Sequence, residues 1–262
     1  FQDLTTRFFF MKKHIPNTIT CCNLICGCIA TCAGFHGQYM TAFLFIILGA
    51  VFDFFDGFVA RLLGVSGPMG VELDSLADVI TFGLAPASMI FTLFTQVYYP
   101  EAIYSPTWFR IMPFTAFLMP AFAALRLAKF NIDDNQHDGF IGLPTPANAI
   151  FWSALISSSH KYLTSPMFNA PFLFAFMLVF CLLMVSNVPM FKLKFKDFKW
   201  TTIGNKRKIF FLAVAVVALI VAAVCGARSG HVVRYMSRTL CGLIGFYILL
   251  SVVAMYRDAL KS

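Results

Sequence analysis

Apolar residues run along this chain in long blocks rather than in strict alternation. Eight blocks stand out, at about 16–36, 41–64, 71–97, 109–130, 144–160, 171–190, 209–226 and 239–256, divided by Gly, Pro and short polar clusters. Each is close to or above the roughly 18 residues needed to cross about 30 Å of hydrocarbon. All are predicted to be helices. A strand edge facing lipid would leave backbone groups unpaired, and a transmembrane barrel would show shorter, alternating segments. The predicted fold class is therefore an all-α integral membrane protein with about eight transmembrane helices. Its predicted divisions are an N-terminal cytoplasmic or interfacial segment (1–15), a six-helix membrane unit (16–190), a basic loop (191–208), and two further C-terminal helices with a tail (209–262).

Composition leaves little room for another solvent. Hydrophobic residues make up 59% of the chain and charged ones 12%, with 32 Phe in 262 residues and a mean hydropathy of +0.78, too little polar surface to coat a water-soluble globule. The first apolar block is too long for a cleaved signal peptide and continues into further spans. Met11-Lys12-Lys13 reads as a natural beginning, so residues 1–10 are expected to be an upstream extension or a short interfacial segment.

With the N-terminus placed inside, 15 of the 20 Lys and Arg fall on the cytoplasmic side, including seven between Lys192 and Lys208. The positive-inside rule then puts both termini in the cytoplasm. The net charge of +8 reads as topology and attraction to anionic lipid. No nucleic-acid partner is expected, because no basic segment is interleaved with stacking aromatics on a soluble platform. The stretch Phe191–Trp200 alternates apolar residues with Lys and is expected to lie on the anionic leaflet. Five of the eight Cys crowd the first span at scattered helical angles, which suits packing better than metal binding, and no structural disulfide is expected.

One feature does not fit lipid. Five of the twelve acids lie between Asp53 and Asp78, where an ionised Asp near mid-membrane costs on the order of 2.5–3.5 kcal/mol. Asp53 and Asp56 are three residues apart, and Asp74 and Asp78 four apart, so each pair shares a helical face, and the turn through Gly64, Gly67 and Pro68 folds the faces together. Four converging carboxylates suit hard divalent cations, and two such ions form a clamp for displacement at phosphorus. Gly57 and Ala60 bare the backbone beside the acids for a nucleotide or diphosphate. Arg61 either faces a phosphate or marks the cytoplasmic end of the span.

Read as a string, Asp53-x2-Asp56-Gly57-x2-Ala60-Arg61-x8-Gly70-x3-Asp74-x3-Asp78 matches all eight fixed positions of DxxDGxxARx8GxxxDxxxD, and in this the chain resembles the CDP-alcohol phosphotransferases. The resemblance implies that residues 16–190 are their six-helix catalytic core. It implies that Asp53, Asp56 and Asp74 hold two divalent ions, Mg²⁺ or Mn²⁺, on the diphosphate of a CDP-linked lipid. Asp78 then takes the proton of the incoming alcohol and is also a candidate metal ligand. A homodimer is implied as well.

Three further stretches resemble the serine-using branch of that family: His14–Gly27, Leu73–Ala87, and Leu125–Asn131 with Gly142–Pro146. They imply CDP-diacylglycerol and serine as substrates, and a site on the cytoplasmic face of a bacterial inner membrane. Asn17, Thr20 and Asn23 are candidates for the cytidine or ribose, or else for polar contacts between helices; Pro16 is expected to start their helix. Arg126, with its planar fork, is the candidate for the acceptor's carboxylate, joined by Lys129 and Asn131, although positive-inside anchoring explains the two cations also. Asp133, Asp134, His137 and Asp138 are expected to be solvated. Ser157–His160 lie at the far end of a span and are not expected to act as a nucleophile. Competing readings are a glycerol phosphate or inositol phosphate acceptor, which would ask for more cations, and a cation transporter, which would show broken or repeated helices.

Overall fold

The computed structural model describes residues 2–65, 67–99, 106–132, 140–190 and 203–259. Helices dominate: α1 (Gln2–Phe35), α2 (Tyr39–Leu63), α3 (Pro68–Asp78), a π-helical turn (Val79–Leu84), α4 (Ala85–Phe94), α5 (Pro106–Ile111), a 3₁₀ segment (Met112–Phe117), α6 (Leu118–Ile132), α7 (Thr145–Leu163), α8 (Ala170–Val185), α9 (Ile203–Ser229) and α10 (Val232–Ala259). A two-residue antiparallel pairing joins β1 (Phe140–Ile141) to β2 (Pro189–Met190). The predicted Asp133–Asp138 loop and the alternating stretch 191–200 lie outside the described residues.

The eight apolar blocks emerge as eight rods, two of them composite. Segment 68–94 runs on through the π-helical turn, and 106–132 through the 3₁₀ segment. Six rods are long and apolar enough to cross a membrane, while α8 is apolar but has only 16 residues. α7 is long enough at 19 residues but carries Thr145, Asn148, Ser153 and Ser158, all buried. It can be polar because α2, α4 and α10 wrap it, so its polar side chains face protein rather than lipid. Exposed Leu, Val and Phe cover the outside, as in Phe54, Leu62, Val217 and Leu249, the arrangement a lipid solvent selects.

Pro16 does not start α1; the helix passes through it unbroken. A proline inside a helix removes the bond from its own nitrogen to the carbonyl one turn back and crowds that carbonyl with its ring, and here the helix continues through both. α1 packs along α2 and crosses α3, the π-helical turn and α4. The contact is close at Gly27, where an added Cβ would sit 2.8 Å from Thr81 Cα. Only a residue without a side chain lets the two backbones meet there.

At the same end of the bundle, Gly142 fixes the start of α7. It adopts φ +77°, and a Cβ would come within 2.4 Å of Met184 O. Its N–H donates to Val188 O at 2.9 Å, and Leu143 N–H to Leu183 O at 2.9 Å. Thr145 is thereby pinned beside the end of α8. α10 runs antiparallel to α7 and packs on α7 and α9, with Arg238 Nη2 donating to Ser158 O at 3.2 Å where Ser159 breaks the helical dihedrals. The eight cysteines are all free.

Candidate active site

The carboxylates meet where α2 ends and α3 begins. A Val65 N–H to Ala60 O bond of 3.1 Å closes α2, and Pro68 opens α3 in its first turn. The short connection brings both acid-bearing faces together. Carboxylate oxygens of Asp53, Asp56 and Asp74 lie within 4.8 Å of one another. Asp53 also lies within electrostatic reach of Asp74 and of Asp78. Asp78, 6% exposed, lies at the start of the π-helical turn, a departure from α-geometry that is frequent at functional sites.

α1 supplies the layer behind the acids. Thr20 Oγ1 donates to Asp56 Oδ2 at 2.6 Å and also approaches Pro16 O at 3.1 Å; a hydroxyl has one proton, and the shorter contact to the carboxylate takes it. Asn23 Nδ2 donates to Asp78 Oδ1 at 3.3 Å. The backbone of Asn23 is held in turn by Thr81 Oγ1, which donates to its carbonyl at 3.0 Å. Thr20 and Asn23 thus make polar contacts between helices, the alternative open to them in the sequence, and through these they orient two acids; no sequence motif marks Thr81.

A cavity of about 180 Å³ opens beside the acids, lined by Asp56 and Asp74 together with Asn17, Thr20, Gly57, Ala60 and Arg61. Five of the six candidate nucleotide residues thus share one space, and Asn23 lies deeper. Gly57 leaves the wall bare: a Cβ there would meet nothing nearer than the Arg61 guanidinium at 3.7 Å. Arg61 folds back along its own helix over that gap.

On the other side of Asp78 stands Arg126, 8% exposed. Its Nη1 donates to Thr145 Oγ1 at 3.3 Å, and it lies within electrostatic reach of Asp78 and of Tyr247 on α10. Lys129 and Asn131 are directed elsewhere. Lys129 Nζ donates to Asn187 Oδ1 at 3.0 Å and Asn131 Nδ2 to Ser75 Oγ at 2.9 Å, tying α6 to the end of α8 and to α3. The Ser157–His160 stretch is at the opposite end of α7, where His160 Nε2 bonds Gln96 Oε1 at 2.7 Å.

The donor set fits a hard divalent cation. Oxygens bound to one Mg²⁺ at about 2.1 Å lie no more than about 4.2 Å apart, so three carboxylates within 4.8 Å need only a small inward shift. Among the described residues Asp74 Oδ1 is buried with no hydrogen-bond partner, an acceptor left open to a cation.

Comparison with known proteins agrees with this geometry. A sequence model of the CDP-alcohol phosphatidyltransferases matches residues 13–256. Relatives named CDP-diacylglycerol–serine O-phosphatidyltransferase include one from Bacillus subtilis, 38% identical over 134 residues, which covers 51% of this chain and 70% of the relative. One from Helicobacter pylori is 31% identical over 209 residues, 78% of this chain and 80% of the relative. A third, from Methanocaldococcus jannaschii, is 30% identical over 207 residues, 79% and 83% of the two chains. With its signature acids gathered at one end of an all-helical membrane bundle and the match running over most of its length, the chain belongs to the CDP-alcohol phosphatidyltransferase family.

Proposed function

We propose that this protein transfers the phosphatidyl group of CDP-diacylglycerol to the hydroxyl of serine, giving phosphatidylserine and CMP. The observation that carries the reading is the gathering of Asp53, Asp56 and Asp74 beside a cavity that Asp56 and Asp74 wall, with a buried Arg126 within electrostatic reach of Asp78. The names of the relatives support serine as acceptor.

In this reading Asn17, Gly57, Ala60 and Arg61 receive the cytidine diphosphate, with Arg61 turned to a phosphate. The proposed cofactor is a pair of divalent ions, Mg²⁺ or Mn²⁺, held by Asp53, Asp56 and Asp74 with Asp78 as a further ligand, which when bound neutralises the diphosphate and the departing phosphate. Thr20 keeps Asp56 aimed at the site. Arg126 holds the carboxylate of serine and so sets its hydroxyl near Asp78, which removes the proton as the oxygen attacks phosphorus. Asn23, bonded to Asp78 Oδ1, fixes which carboxylate oxygen is left for that proton. The lipid product stays in the membrane and CMP leaves from the cavity. The distribution of Lys and Arg supports a site and both termini on the cytoplasmic side of a bacterial membrane, and the resemblance supports a homodimer.

The test is to give the purified full chain CDP-diacylglycerol and Mn²⁺ or Mg²⁺, with serine, glycerol phosphate or inositol phosphate in separate reactions, and follow CMP. Serine alone is expected to raise CMP release. Release driven by a phosphorylated acceptor and not by serine would overturn the acceptor assignment.

A further inference from the structure

Arg126 is not the only buried polar group on its side of Asp78 that lacks partners. Among the described residues its Nε is buried with none, and so are both amide atoms of Asn148, a residue 0% exposed. An unpaired buried polar group costs about 1–3 kcal/mol, so three such atoms on these two residues are a strong departure from ordinary packing. Asn148 lies three residues beyond Thr145, on the same face of α7, and Thr145 Oγ1 is the atom that Arg126 reaches. The guanidinium therefore stands at the first turn of a 19-residue helix, whose N-terminal end favours negative charge on the same spot.

The last helix brings a further polar side chain, one that already has a partner in Ser251. Arg238 meets Ser158, and Gly245 faces Phe151, whose ring a Cβ added at Gly245 would meet at 3.9 Å. This antiparallel register carries Tyr247 to the level of Asn148. Tyr247 is 9% exposed, packs edge-on against Phe211 of α9 with ring centroids 5.9 Å apart, and lies within electrostatic reach of Arg126. We infer that Asn148 and Tyr247 complete a pocket for a small amino-acid zwitterion around Arg126, so that α10, outside the six-helix core, takes part in choosing the acceptor.

The chemistry of the set selects that class. Arg126 offers Nε and its free guanidinium protons to a carboxylate, and Thr145, having accepted from Arg126, keeps its own proton to give. Asn148 Oδ1 and the Tyr247 oxygen are neutral acceptors for an ammonium. One cation facing one anion, with neutral acceptors beside it, balances a zwitterion. A phosphomonoester would set nearly two negative charges against a single guanidinium with the Asp78 carboxylate close by, and Lys129 is turned away to Asn187.

This inference rests on the proposed reading of Arg126 as the acceptor's ligand, and the test separates the two. Initial rates of CMP release are measured for the full-length enzyme and for Asn148→Leu, Tyr247→Phe and Arg126→Lys, varying serine and CDP-diacylglycerol independently. Asn148→Leu is expected to raise the KM for serine about 10-fold or more, in line with one lost hydrogen bond to a charged group, and Tyr247→Phe several-fold, while the KM for CDP-diacylglycerol stays within about twofold. Asn148→Leu also removes an unpaired buried amide, so its melting temperature without serine is expected to hold or rise, whereas an amide with a purely structural role would give a fall. Should Asn148→Leu fail to fold, Asn148→Ser and Tyr247→Phe carry the same comparison. A raised serine KM in Arg126→Lys with unchanged values in the Asn148 and Tyr247 variants would overturn the inference and leave the proposed function standing. An unchanged serine KM in all three would overturn both.

Discussion

Thr20→Val offers a sharp test of how the site is held together. Valine has the shape of threonine, so α1 keeps its packing, but Asp56 loses the 2.6 Å hydroxyl bond that orients it. A hydrogen bond to a charged group contributes about 1.5–3 kcal/mol, which is about 10- to 150-fold in an equilibrium constant. Loss of a partner that orients a metal ligand typically lowers metal affinity about 10- to 100-fold. The two ranges agree on a fall of at least about 10-fold in apparent affinity for Mn²⁺, read by titrating CMP release with the ion. Direct Mn²⁺ binding, followed by the loss of its free-ion EPR signal, should shift by the same factor. Thr20→Ser, which keeps the donor, should stay within about threefold of the parent. A Thr20→Val protein that titrates with Mn²⁺ like the parent would refute the claim that Thr20 acts through Asp56.

Asp78→Asn should cut turnover by about 10²- to 10⁴-fold, the usual contribution of a positioned base, with the KM for serine changed far less; retained turnover would remove Asp78 from that role. Gly27→Ala should lower both the melting temperature and the activity, because its Cβ would press within 2.8 Å of Thr81 Cα and push Asn23 away from Asp78. Gly142→Ala has no strain-free conformation at φ +77° and meets Met184 O at 2.4 Å, so it is expected to yield poorly in detergent and to lose activity through displacement of Thr145 and Arg126. An active, stable Gly142→Ala protein would show that the start of α7 is placed by something else.

Much of this architecture was legible in the sequence for one physical reason: a lipid-facing helix must be apolar along its length, so block lengths report spans directly. α7 marks the limit of that reading. Its hydropathy is lowered by Thr145, Asn148 and Ser153, which a helix wrapped by neighbours can carry and a peripheral one cannot; nothing in the local string says which helix is central. The acids were legible because their spacing sets two helical faces and the Gly and Pro between them force a turn. Their partners were harder to place. The string leaves Asn17, Thr20 and Asn23 open between nucleotide binding and contacts between helices, and only the packing of α1 on α2 and α3 puts Asn17 and Thr20 on the cavity wall while Thr20 and Asn23 donate to acids. Pro16 misled because its effect depends on whether one carbonyl can forgo its bond. Lys129 and Asn131 were grouped with Arg126 by proximity in sequence, but their helical angles send them to Asn187 and Ser75. Tyr247 is 121 positions from Arg126 in the chain, and its nearness follows only from the docking of α10 on α7.

The central claim is phosphatidyl transfer to serine at the carboxylate cluster, and product identity tests it most directly. The full chain in lipid nanodiscs would be given CDP-diacylglycerol, Mn²⁺ and an equimolar mixture of isotope-labelled serine, glycerol phosphate and inositol phosphate, and the lipid products read by mass spectrometry. The account predicts labelled phosphatidylserine as the dominant product, with CMP in equal amount and none of either from Asp53→Asn. A dominant phosphatidylglycerol phosphate or phosphatidylinositol phosphate, or labelled phosphatidylserine formed equally well by Asp53→Asn, would contradict it.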